Sequence, residues 1–448
     1  MQDPSIFVGE GLPVAFSSIS FLFYFLSLFF IIYYLIPARA KNVVLLAGSL
    51  FFYAWGEPRW ILLLLASILV TWLLGRAMRP EAGAGRRRGL LILGLVFQLG
   101  LLVAVKYAGF FFGAFIDLPK LHLPLGVSFY TFHAISYLVD VYRQKTPPQK
   151  NLLRLGLYLA LFPKLVMGPI VPYHELEPAL AQRTIDAQDV SDGCFRFTIG
   201  LAKKALLADA LAGLVTGIWG DLASLTVLSA WLGLIGYALQ LYFDFSGYSD
   251  MAIGLGRMLG FRFPENFRYP YLCSSISDFW RRWHISLGSW FKEYLYFPLG
   301  GSRTGTLRTL RNLLFVWLAT GLWHGASWNY VLWGLYFGVL ICLEKLLAPH
   351  FRAHPRKGLL AGLYRPVCLL LAVLGWVLFR AEDLPAAGRY FACLFGGAAG
   401  ASAQARLYLH GFWPVLLLGA VGATPLCAKL AGRLGAKLQP GVRAAVQA

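Results

Sequence analysis

The most regular feature of the chain is a succession of long apolar segments separated by short polar loops. The first covers residues 17–37, and two shorter runs near 43–55 and 59–75 are separated by Gly56-Glu57-Pro58. A helix needs about 20 apolar residues to cross the hydrocarbon core of a bilayer. The pattern therefore predicts an all-α, polytopic integral membrane protein with about ten to twelve membrane helices.

The rest of the chain continues this pattern. Further spans are expected near residues 89–115, 151–172, 193–219, 223–243, 311–325, 327–347, 359–380 and 411–431. Between 122 and 141, and again between 261 and 300, Pro, Gly, charged and amide residues interrupt the apolar runs. Irregular backbone at membrane depth is tolerated where protein buries it or where it lines a cavity. These two segments are therefore predicted to be re-entrant or interfacial helices.

No long polar segment divides the chain, so we expect a single membrane domain over residues 1–448. No earlier stretch resembles residues 240–330, which disfavours the internally repeated architecture of many transporters. The basic tail from about residue 432 is expected to be loosely ordered. The first apolar segment lacks the basic region and cleavage site of a secretory signal, so we expect it to be retained.

Composition and charge agree with a membrane protein. Hydrophobic residues make up 58% of the chain, charged residues only 14%, and the mean hydropathy is +0.62. The formal net charge is +19, but the basic residues lie in short loops, so topology and anionic lipid explain them without a nucleic-acid partner. Arg39, Lys41 and the loop with Arg86, Arg87 and Arg88 should be cytoplasmic, which places the N-terminus outside. The six cysteines include no CxxC pair and are interpreted as buried hydrophobes.

The first motif with chemical content lies directly after an apolar span and runs from Gln240 to Asp250. A carboxylate at mid-bilayer costs about 2.5–3.5 kcal/mol on insertion scales, so it normally faces a cavity or a cation. Four side chains here are candidates for binding substrate or lining a tunnel: Gln240, Asp244, Tyr248 and Asp250. The alternative is a structural ion pair with an arginine such as Arg257 or Arg282, and the two roles are compatible.

The second motif, from Phe279 to Tyr294, is too rich in cations for an ordinary lipid-facing helix. On a continuous helix Trp280 and His284 would share a face with Gly288, whereas Arg281 and Arg282 would point elsewhere. The two arginines could then bind phosphate headgroups or a phosphorylated donor. A helix in the aromatic belt at the membrane interface would look similar.

The third motif places His324 within a long apolar stretch, after Trp323 and before Asn329. The small residues Gly321, Gly325 and Ala326 are expected to leave room beside the imidazole. Burial favours the neutral ring, which can accept a proton from an alcohol and then donate it to a leaving thiolate. A hydrogen-bonded packing histidine is the alternative. Two Trp-His pairs, each in a polar-aromatic break, favour a functional role.

Several common mechanisms have no signature in the chain. No HExxH or comparable cluster is present, so no catalytic metal is expected. No GxSxG elbow, Walker loop or GxGxxG fingerprint is present either, which disfavours a serine nucleophile and nucleotide hydrolysis. The remaining histidines, His133 among them, are interpreted as interfacial or structural.

Three stretches resemble the signature motifs of a known family: FDFSGYSDMAIG at 243–254, FWRRWHISLGSWFKEYLYFPLGG at 279–301 and LATGLWHGASWNYVLWG at 318–334. The chain resembles the bacterial membrane-bound O-acyltransferases, most strongly between 237 and 334. GSLFFYAW at 48–55 and PLGVSFYTFHAISYLVDVYR at 124–143 extend the resemblance over most of the chain. The branch that O-acetylates alginate is the most similar, and the branch that D-alanylates teichoic acids is a near relative.

The resemblance implies a bundle of helices around a central tunnel that joins the two membrane faces. His324 matches the hallmark histidine of the family and is expected to be catalytic, and His284 matches its second polar site residue. Trp280, Trp323 and Asn329 become candidates for lining the tunnel. No permanently bound cofactor is implied; the co-substrate is an acyl thioester, either acetyl-CoA or an acyl-carrier protein.

The resemblance also implies a setting: a multi-pass protein of the bacterial cytoplasmic (inner) membrane, in contact with membrane lipid. An acyl group, expected to be acetyl, would cross the membrane for O-acylation of a polysaccharide acceptor such as alginate, beside an extracytoplasmic acyltransferase or polysaccharide-modifying partner. D-alanyl transfer to teichoic acid and peptidoglycan O-acetylation remain alternatives. A transporter of polysaccharide or lipid-linked substrate and a noncatalytic scaffold are alternatives of other classes.

Overall fold

The computed structural model of the protein describes residues 15–113, 123–303, 305–353 and 359–437. Within these ranges the chain forms helices and connecting loops, and no β-strand. By contact it divides into two compact units, which we call the N-terminal unit (residues 15–201 and 248–264) and the histidine unit (residues 202–247 and 265–437). The all-α prediction is confirmed.

The N-terminal unit contains ten α-helices within the described ranges. They are α1 (Ser27–Leu35), α2 (Lys41–Gly56), α3 (Ile61–Ala77), α4 (Ala84–Leu102), α5 (Ala108–Phe112), α6 (Val127–Tyr142), α7 (Leu152–Ala160), α8 (Phe162–Leu165), α9 (Tyr173–Ala181) and α10 (Ala187–Ala202). Two π-helical stretches, Ser20–Leu26 and Val103–Tyr107, and the 3-10 turn Ala38–Ala40 complete it.

The histidine unit contains the remaining helices that the structure describes. They are α11 (Asp209–Trp219), α12 (Val227–Met258), α13 (Ile276–Trp280), α14 (Ile285–Phe291), α15 (Thr306–His324), α16 (Trp328–Ala353), α17 (Leu359–Arg380), α18 (Leu384–Leu394), α19 (Ala403–Gly422) and α20 (Leu426–Lys437). The π-helical stretches Lys203–Ala208 and Lys292–Tyr296 and the 3-10 turn Pro270–Leu272 also belong to it. Helix α12 is shared, because its residues from 248 onward lie in the N-terminal unit.

Four described helices are long and apolar enough to cross a membrane: Ala84–Phe112, Val227–Met258, Trp328–Leu347 and Gly362–Arg380. Ser20–Leu35 and Ile61–Ala77 are shorter apolar helices. This confirms the polytopic membrane class, whereas the count of ten to twelve membrane helices stays a prediction. The N-terminal residues before 15 lie outside the described part of the chain. The basic tail begins inside α20, and its residues after Lys437 also lie outside it.

One of the two predicted irregular segments is a regular helix. Helix α6 is continuous and packs against α3, α4, α7 and α9, so that its residues from Val127 to Val141 are all buried. A helix enclosed on every side needs no polar face, and some of its polar groups bond within the protein. The Ser136 hydroxyl, for example, donates to the His133 carbonyl oxygen over 2.9 Å. The interruption expected within residues 127–141 is therefore absent, and a re-entrant position for this helix stays a prediction.

The expected single span over 151–172 is wrong, because the segment is divided between two short helices and a loop. Asn151 caps α7 by accepting the backbone N–H groups of Leu153 and Arg154. Helix α7 then ends at Ala160, and only the four-residue α8 separates it from the loop before α9. Pro163 lies at the start of α8, where its missing N–H costs nothing. By contrast, the segment 261–300 is broken into short helices, as predicted.

Helices α15 and α16 form a tightly packed hairpin with bounds close to the predicted spans. A Cβ atom at Gly321 would clash with the carbonyl oxygen of Tyr330, and one at Gly334 would clash with the carbonyl oxygen of Trp317. Two glycines thus let the helix backbones approach each other, as small residues commonly do between membrane helices. This hairpin fixes the position of His324, the last residue of α15.

Replacement of Gly321 by alanine should therefore separate α15 from α16. We expect Gly321→Ala to lower the free energy of unfolding by about 1–3 kcal/mol, because the added methyl group meets rigid backbone. Thermal unfolding of the purified protein in detergent measures the effect. The matched control is Gly362→Ala in α17, where an added Cβ meets nothing within 4 Å. The control should be neutral or slightly stabilising, and equal melting temperatures for the two variants would contradict the packing argument.

Candidate active site

The two candidate catalytic histidines both lie close to one tryptophan. The imidazole centroid of His284 is 6.0 Å from the Trp323 ring, and that of His324 is 4.8 Å from the same ring. Trp323 is buried, His284 is only 3% exposed and His324 is half-buried. The structure therefore brings together three of the residues singled out in the sequence.

His284 lies in a turn rather than within a helix. Helix α13 ends at Trp280 and α14 begins at Ile285, and His284 between them has a left-handed backbone with a φ of 44°. This conformation is uncommon for a residue with a side chain and persists only where its surroundings impose it. The prediction that Trp280, His284 and Gly288 share one face of a continuous helix is therefore wrong.

Asn266 is the residue that imposes this turn. The backbone N–H of Ile285 donates to the Asn266 carbonyl oxygen over 3.0 Å, and the Asn266 side chain accepts the N–H of Ser286 at 3.1 Å and its hydroxyl at 2.9 Å. On the other side of the turn, the N–H of Arg268 donates to the carbonyl oxygen of Arg282 over 2.9 Å. Asn266 is buried and was not singled out in the sequence, because no local pattern connects it with a residue 20 positions later.

The imidazole of His284 is enclosed by aromatic groups. The Phe245 ring lies 4.6 Å from it, edge to face, and neither ring nitrogen has a hydrogen-bond partner among the described residues. Burial in these surroundings lowers the pKa of His284 to about 3. The ring is therefore neutral at physiological pH, with one nitrogen able to donate a proton and the other able to accept a hydrogen bond.

His324 ends α15, and aromatic rings surround it as well. The Trp333 ring lies 4.9 Å from its centroid and the Phe379 ring 5.2 Å away, both close to perpendicular. The free space expected beside His324 is occupied by Tyr330. A Cβ atom at Gly325 would clash with the Tyr330 ring, and one at Gly321 would clash with the Tyr330 backbone. These glycines admit α16 rather than leaving room for a substrate.

A wall of indole and phenyl rings continues from these histidines. Trp280, a predicted lining residue, lies 4.7 Å from Trp317 and 4.9 Å from Phe337, and Trp376 packs 5.6 Å from Phe379. Such rings lower the local polarity and exclude water. The Asn329 side-chain amide donates to the Ala381 carbonyl oxygen over 2.7 Å. Asn329 thus connects the start of α16 to the end of α17, and this contact is structural.

Arg281 and Arg282 are held by a carboxylate on their own segment. Asp278 contacts Arg282 at 3.0 Å and Arg281 at 3.3 Å, and it accepts the N–H and hydroxyl of Ser274. Burial raises the pKa of Asp278, but the Ser274 hydrogen bonds and the positive charge of Arg282 outweigh burial and hold this pKa below its ordinary value. Arg281 remains 69% exposed, so it is the arginine of the two with more freedom to bind another anion.

The carboxylates of the 240–250 motif are paired, but not with the expected arginines. Asp244 pairs with Lys204 at 2.9 Å, and Asp250 pairs with Arg196 at 2.6 Å. The two expected arginines bind elsewhere, Arg257 to Asp192 at 2.5 Å and Arg282 to Asp278. The motif also continues α12 instead of following a span, since the helix runs from Val227 to Met258.

The spacing along α12 shows which of these candidates share a face of the helix. Gln240, Asp244 and Tyr248 are four residues apart and share one face of the helix, whereas Asp250 does not. Within the N-terminal unit, the Tyr248 ring stacks on Phe16 at 4.5 Å and is fully buried with the core. Tyr248 thus packs in the core of that unit and Asp250 forms an ion pair within it, and a role of either residue in lining a tunnel stays a prediction.

No group of three or more potential metal ligands is found among the residues described. The candidate site therefore consists of two imidazoles and their aromatic surroundings. Two imidazoles in a buried apolar wall suit proton transfer between an alcohol and a leaving group.

Comparison with known proteins decides the family. Residues 50–361 match the sequence profile of the membrane-bound O-acyltransferase family, and this range includes both histidines. The chain belongs to the membrane-bound O-acyltransferase family. This membrane-bound O-acyltransferase is thus an enzyme that transfers acyl groups, and the transporter and scaffold alternatives are set aside.

Curated relatives of this acyltransferase carry related names. It is 43% identical to the probable alginate O-acetylase of Pseudomonas aeruginosa, over 85% of this chain and 75% of that protein. It is 36% identical to the peptidoglycan O-acetyltransferase of Helicobacter pylori, over 82% of this chain and 77% of that protein. It is 29% identical to the teichoic acid D-alanyltransferase of Bacillus subtilis, over 51% and 62% of the two chains.

The neutral His284 ring gives this acyltransferase a definite pH dependence of stability. The folded-state pKa of about 3 lies below the value of about 6.5 for an unfolded histidine. The unfolded state alone gains a proton as the pH falls below about 6.5, so the contribution of the neutral ring is complete above that pH and is lost progressively toward pH 3.

We therefore expect the melting temperature of the wild type to fall more steeply between pH 7 and pH 5 than that of His284→Asn. Asparagine is chosen because it tolerates the left-handed backbone and does not titrate there. Differential scanning calorimetry over this pH range checks the slope. Parallel slopes for the two proteins would show that His284 titrates as an exposed histidine does.

Proposed function

We propose that this enzyme takes an acetyl group from a cytoplasmic thioester and transfers it across the cytoplasmic membrane for O-acetylation of a polysaccharide such as alginate. The observation that carries the proposal is the placement of both His284 and His324 beside the Trp323 ring, within the segment that matches the family. Support for the acceptor comes from the alginate O-acetylase relative, which is more similar than the peptidoglycan or teichoic acid relatives.

His324 acts as the general base in this proposal. Its ring removes the proton from an acceptor hydroxyl while the oxygen attacks the thioester carbonyl carbon. The new C–O bond forms, the C–S bond breaks, and the imidazolium returns the proton to the leaving thiolate. The Trp333 and Phe379 rings beside it fix the orientation of the imidazole and suit a general base that is neutral before the reaction.

His284 supports the reaction as a hydrogen-bond donor. Its neutral ring carries one N–H, and neither ring nitrogen has a partner within the described part of the chain. In the proposal this N–H stabilises the negative charge that develops on the thioester oxygen. The hydrogen bonds between Asn266 and the turn already hold this donor in place, so it loses little entropy when the charge develops.

The aromatic wall protects the donor in this proposal. A thioester hydrolyses if water reaches its carbonyl carbon together with a base. Trp333 contacts His324, and Trp280 and Trp376 pack against Trp333, so that apolar rings take up space that water could otherwise occupy. Exclusion of water also strengthens the electrostatic stabilisation of the transition state.

The proposal requires partners that the chain itself does not supply. The co-substrate is acetyl-CoA or an acyl-carrier protein, with no permanently bound cofactor. An extracytoplasmic acyltransferase or polysaccharide-modifying protein would receive the acyl group, and membrane lipid surrounds the helices. The second candidate functions are peptidoglycan O-acetylation and D-alanyl transfer to teichoic acid, which the names of two relatives support.

The role of His324 is tested by substitution. We expect His324→Ala to lower the rate of acyl transfer by about 10²–10⁴-fold, the usual contribution of a general base, while the protein still accumulates in the membrane. The control is His410→Ala, since this histidine is exposed on α19 of the same unit. His284→Gly should retain the turn, because glycine tolerates the left-handed backbone, but it lacks the proposed donor, and so it should also slow transfer. Wild-type acylation by His324→Ala would overturn the assignment.

The need for a partner is tested in liposomes. With acetyl-CoA inside and purified alginate outside, we expect little polymer acetylation by this protein alone. Addition of a secreted acyltransferase from the same polysaccharide system to the outer side should restore it. Efficient acetylation without any second protein would refute the partner. Replacing alginate with peptidoglycan or lipoteichoic acid in the same assay separates the alternative acceptors.

A further inference from the structure

A lysine is fully buried in the N-terminal unit without an acidic partner. Lys164 belongs to the four-residue helix α8, and its side chain is 0% exposed. The break between α7 and α9 places this residue among protein groups instead of at a membrane surface. Long cationic side chains usually extend their charged end to water, so complete burial of Lys164 is unusual.

The surroundings of Lys164 provide an aromatic face but no hydrogen-bond acceptor. Its ammonium nitrogen lies 4.3 Å from the centroid of the Tyr158 ring, and no acceptor for it is found within the described ranges. Nearby polar atoms have other partners. The Tyr158 hydroxyl donates to the Val171 carbonyl oxygen over 2.9 Å, and His133 accepts the N–H of Val171 at 3.4 Å.

The acidic groups of neighbouring elements are also engaged elsewhere. Asp140 on α6 pairs with His174 at 2.8 Å, and Glu57, which follows α2, accepts the N–H of Leu125 at 3.0 Å. No salt bridge of Lys164 occurs within the described chain. A cation–π contact offsets only part of the cost of removing an ammonium group from water.

A fully buried amino group with no hydrogen-bond acceptor makes the protein less stable than an apolar side chain of similar shape would. Residues that oppose stability in this way are concentrated at functional sites. We propose that Lys164 is the anchor of an internal oxyanion site, which takes a carboxylate or phosphate group against the Tyr158 face of the N-terminal unit. The bound anion supplies the missing counter-charge and acceptor atoms.

Such an oxyanion has two sources. It can be a free anion, or it can be a charged group of a larger molecule such as the phosphates of coenzyme A. The site is independent of the histidine chemistry proposed above, so binding to the ligand-free protein tests it directly and acyl transfer does not enter the measurement.

The test uses the full-length protein in detergent or nanodiscs, and equilibrium binding of radiolabelled inorganic phosphate, acetate and coenzyme A. We expect at least one probe to bind the wild type and to raise its melting temperature, with affinity reduced about tenfold or more in Lys164→Met. Lys164→Arg keeps the charge and should retain part of the affinity. Lys150→Met is the matched control, because Lys150 is an exposed lysine of the same unit.

The outcomes separate clearly. Binding of phosphate or acetate alone identifies a free anion, whereas binding of coenzyme A alone identifies a charged group of a larger ligand. Without any anion, Lys164→Met should melt at the same or a higher temperature than the wild type. Equal binding by wild type and Lys164→Met, or no binding of any probe, would overturn the proposal. If Lys164→Met does not fold, Lys164→Gln takes its place in the binding measurement. Normal binding of the probes by Lys164→Gln would then overturn the proposed site.

Discussion

The close packing of α15 against α16 is the constraint on which the candidate site depends. Gly321 and Gly334 let the two backbones meet, and this contact sets the position of the turn that follows His324. Trp323 precedes that histidine on α15, and Trp333 faces it from α16. Because dispersion forces between lipid-embedded helices act only at short range, loss of this approach would also displace the rings that orient the imidazole.

The two histidines are held by different means. His324 is positioned by helix packing, whereas His284 is positioned by hydrogen bonds that Asn266 accepts from a strained turn. A packed helix end allows small adjustments, but a turn clamped on both sides does not. This difference suits the roles proposed for them, a base that exchanges protons with two substrates and a donor that stays fixed while charge develops beside it.

Much of this architecture follows from the sequence, because apolar runs of spanning length set the bounds of α15, α16 and α17 directly. The histidines could be singled out for a similar reason, since polar residues stand out in an apolar segment. Three features could not be obtained in this way. The complete burial of α6 removes the polar face on which periodicity depends. The turn at His284 depends on a contact with distant Asn266. The partners of Asp244 and Asp250 lie on other helices, so only the tertiary fold could select Lys204 and Arg196.

The exposure of the long apolar helices has a consequence for the surrounding lipid. The most apolar window of Ala84–Phe112 is only 17% buried within the protein, whereas that of Val227–Met258 is 67% buried. The residues of Ala84–Phe112 after the basic cluster, 89–112, would form a helix about 36 Å long, which is longer than the hydrocarbon thickness of about 30 Å. A mismatch between helix length and bilayer thickness therefore acts on this enzyme chiefly through the tilt of Ala84–Phe112. Helix α12 is shielded from this mismatch because other parts of the protein cover it. Membranes of different thickness should change the outer helix first and leave the helix that carries Phe245 in place.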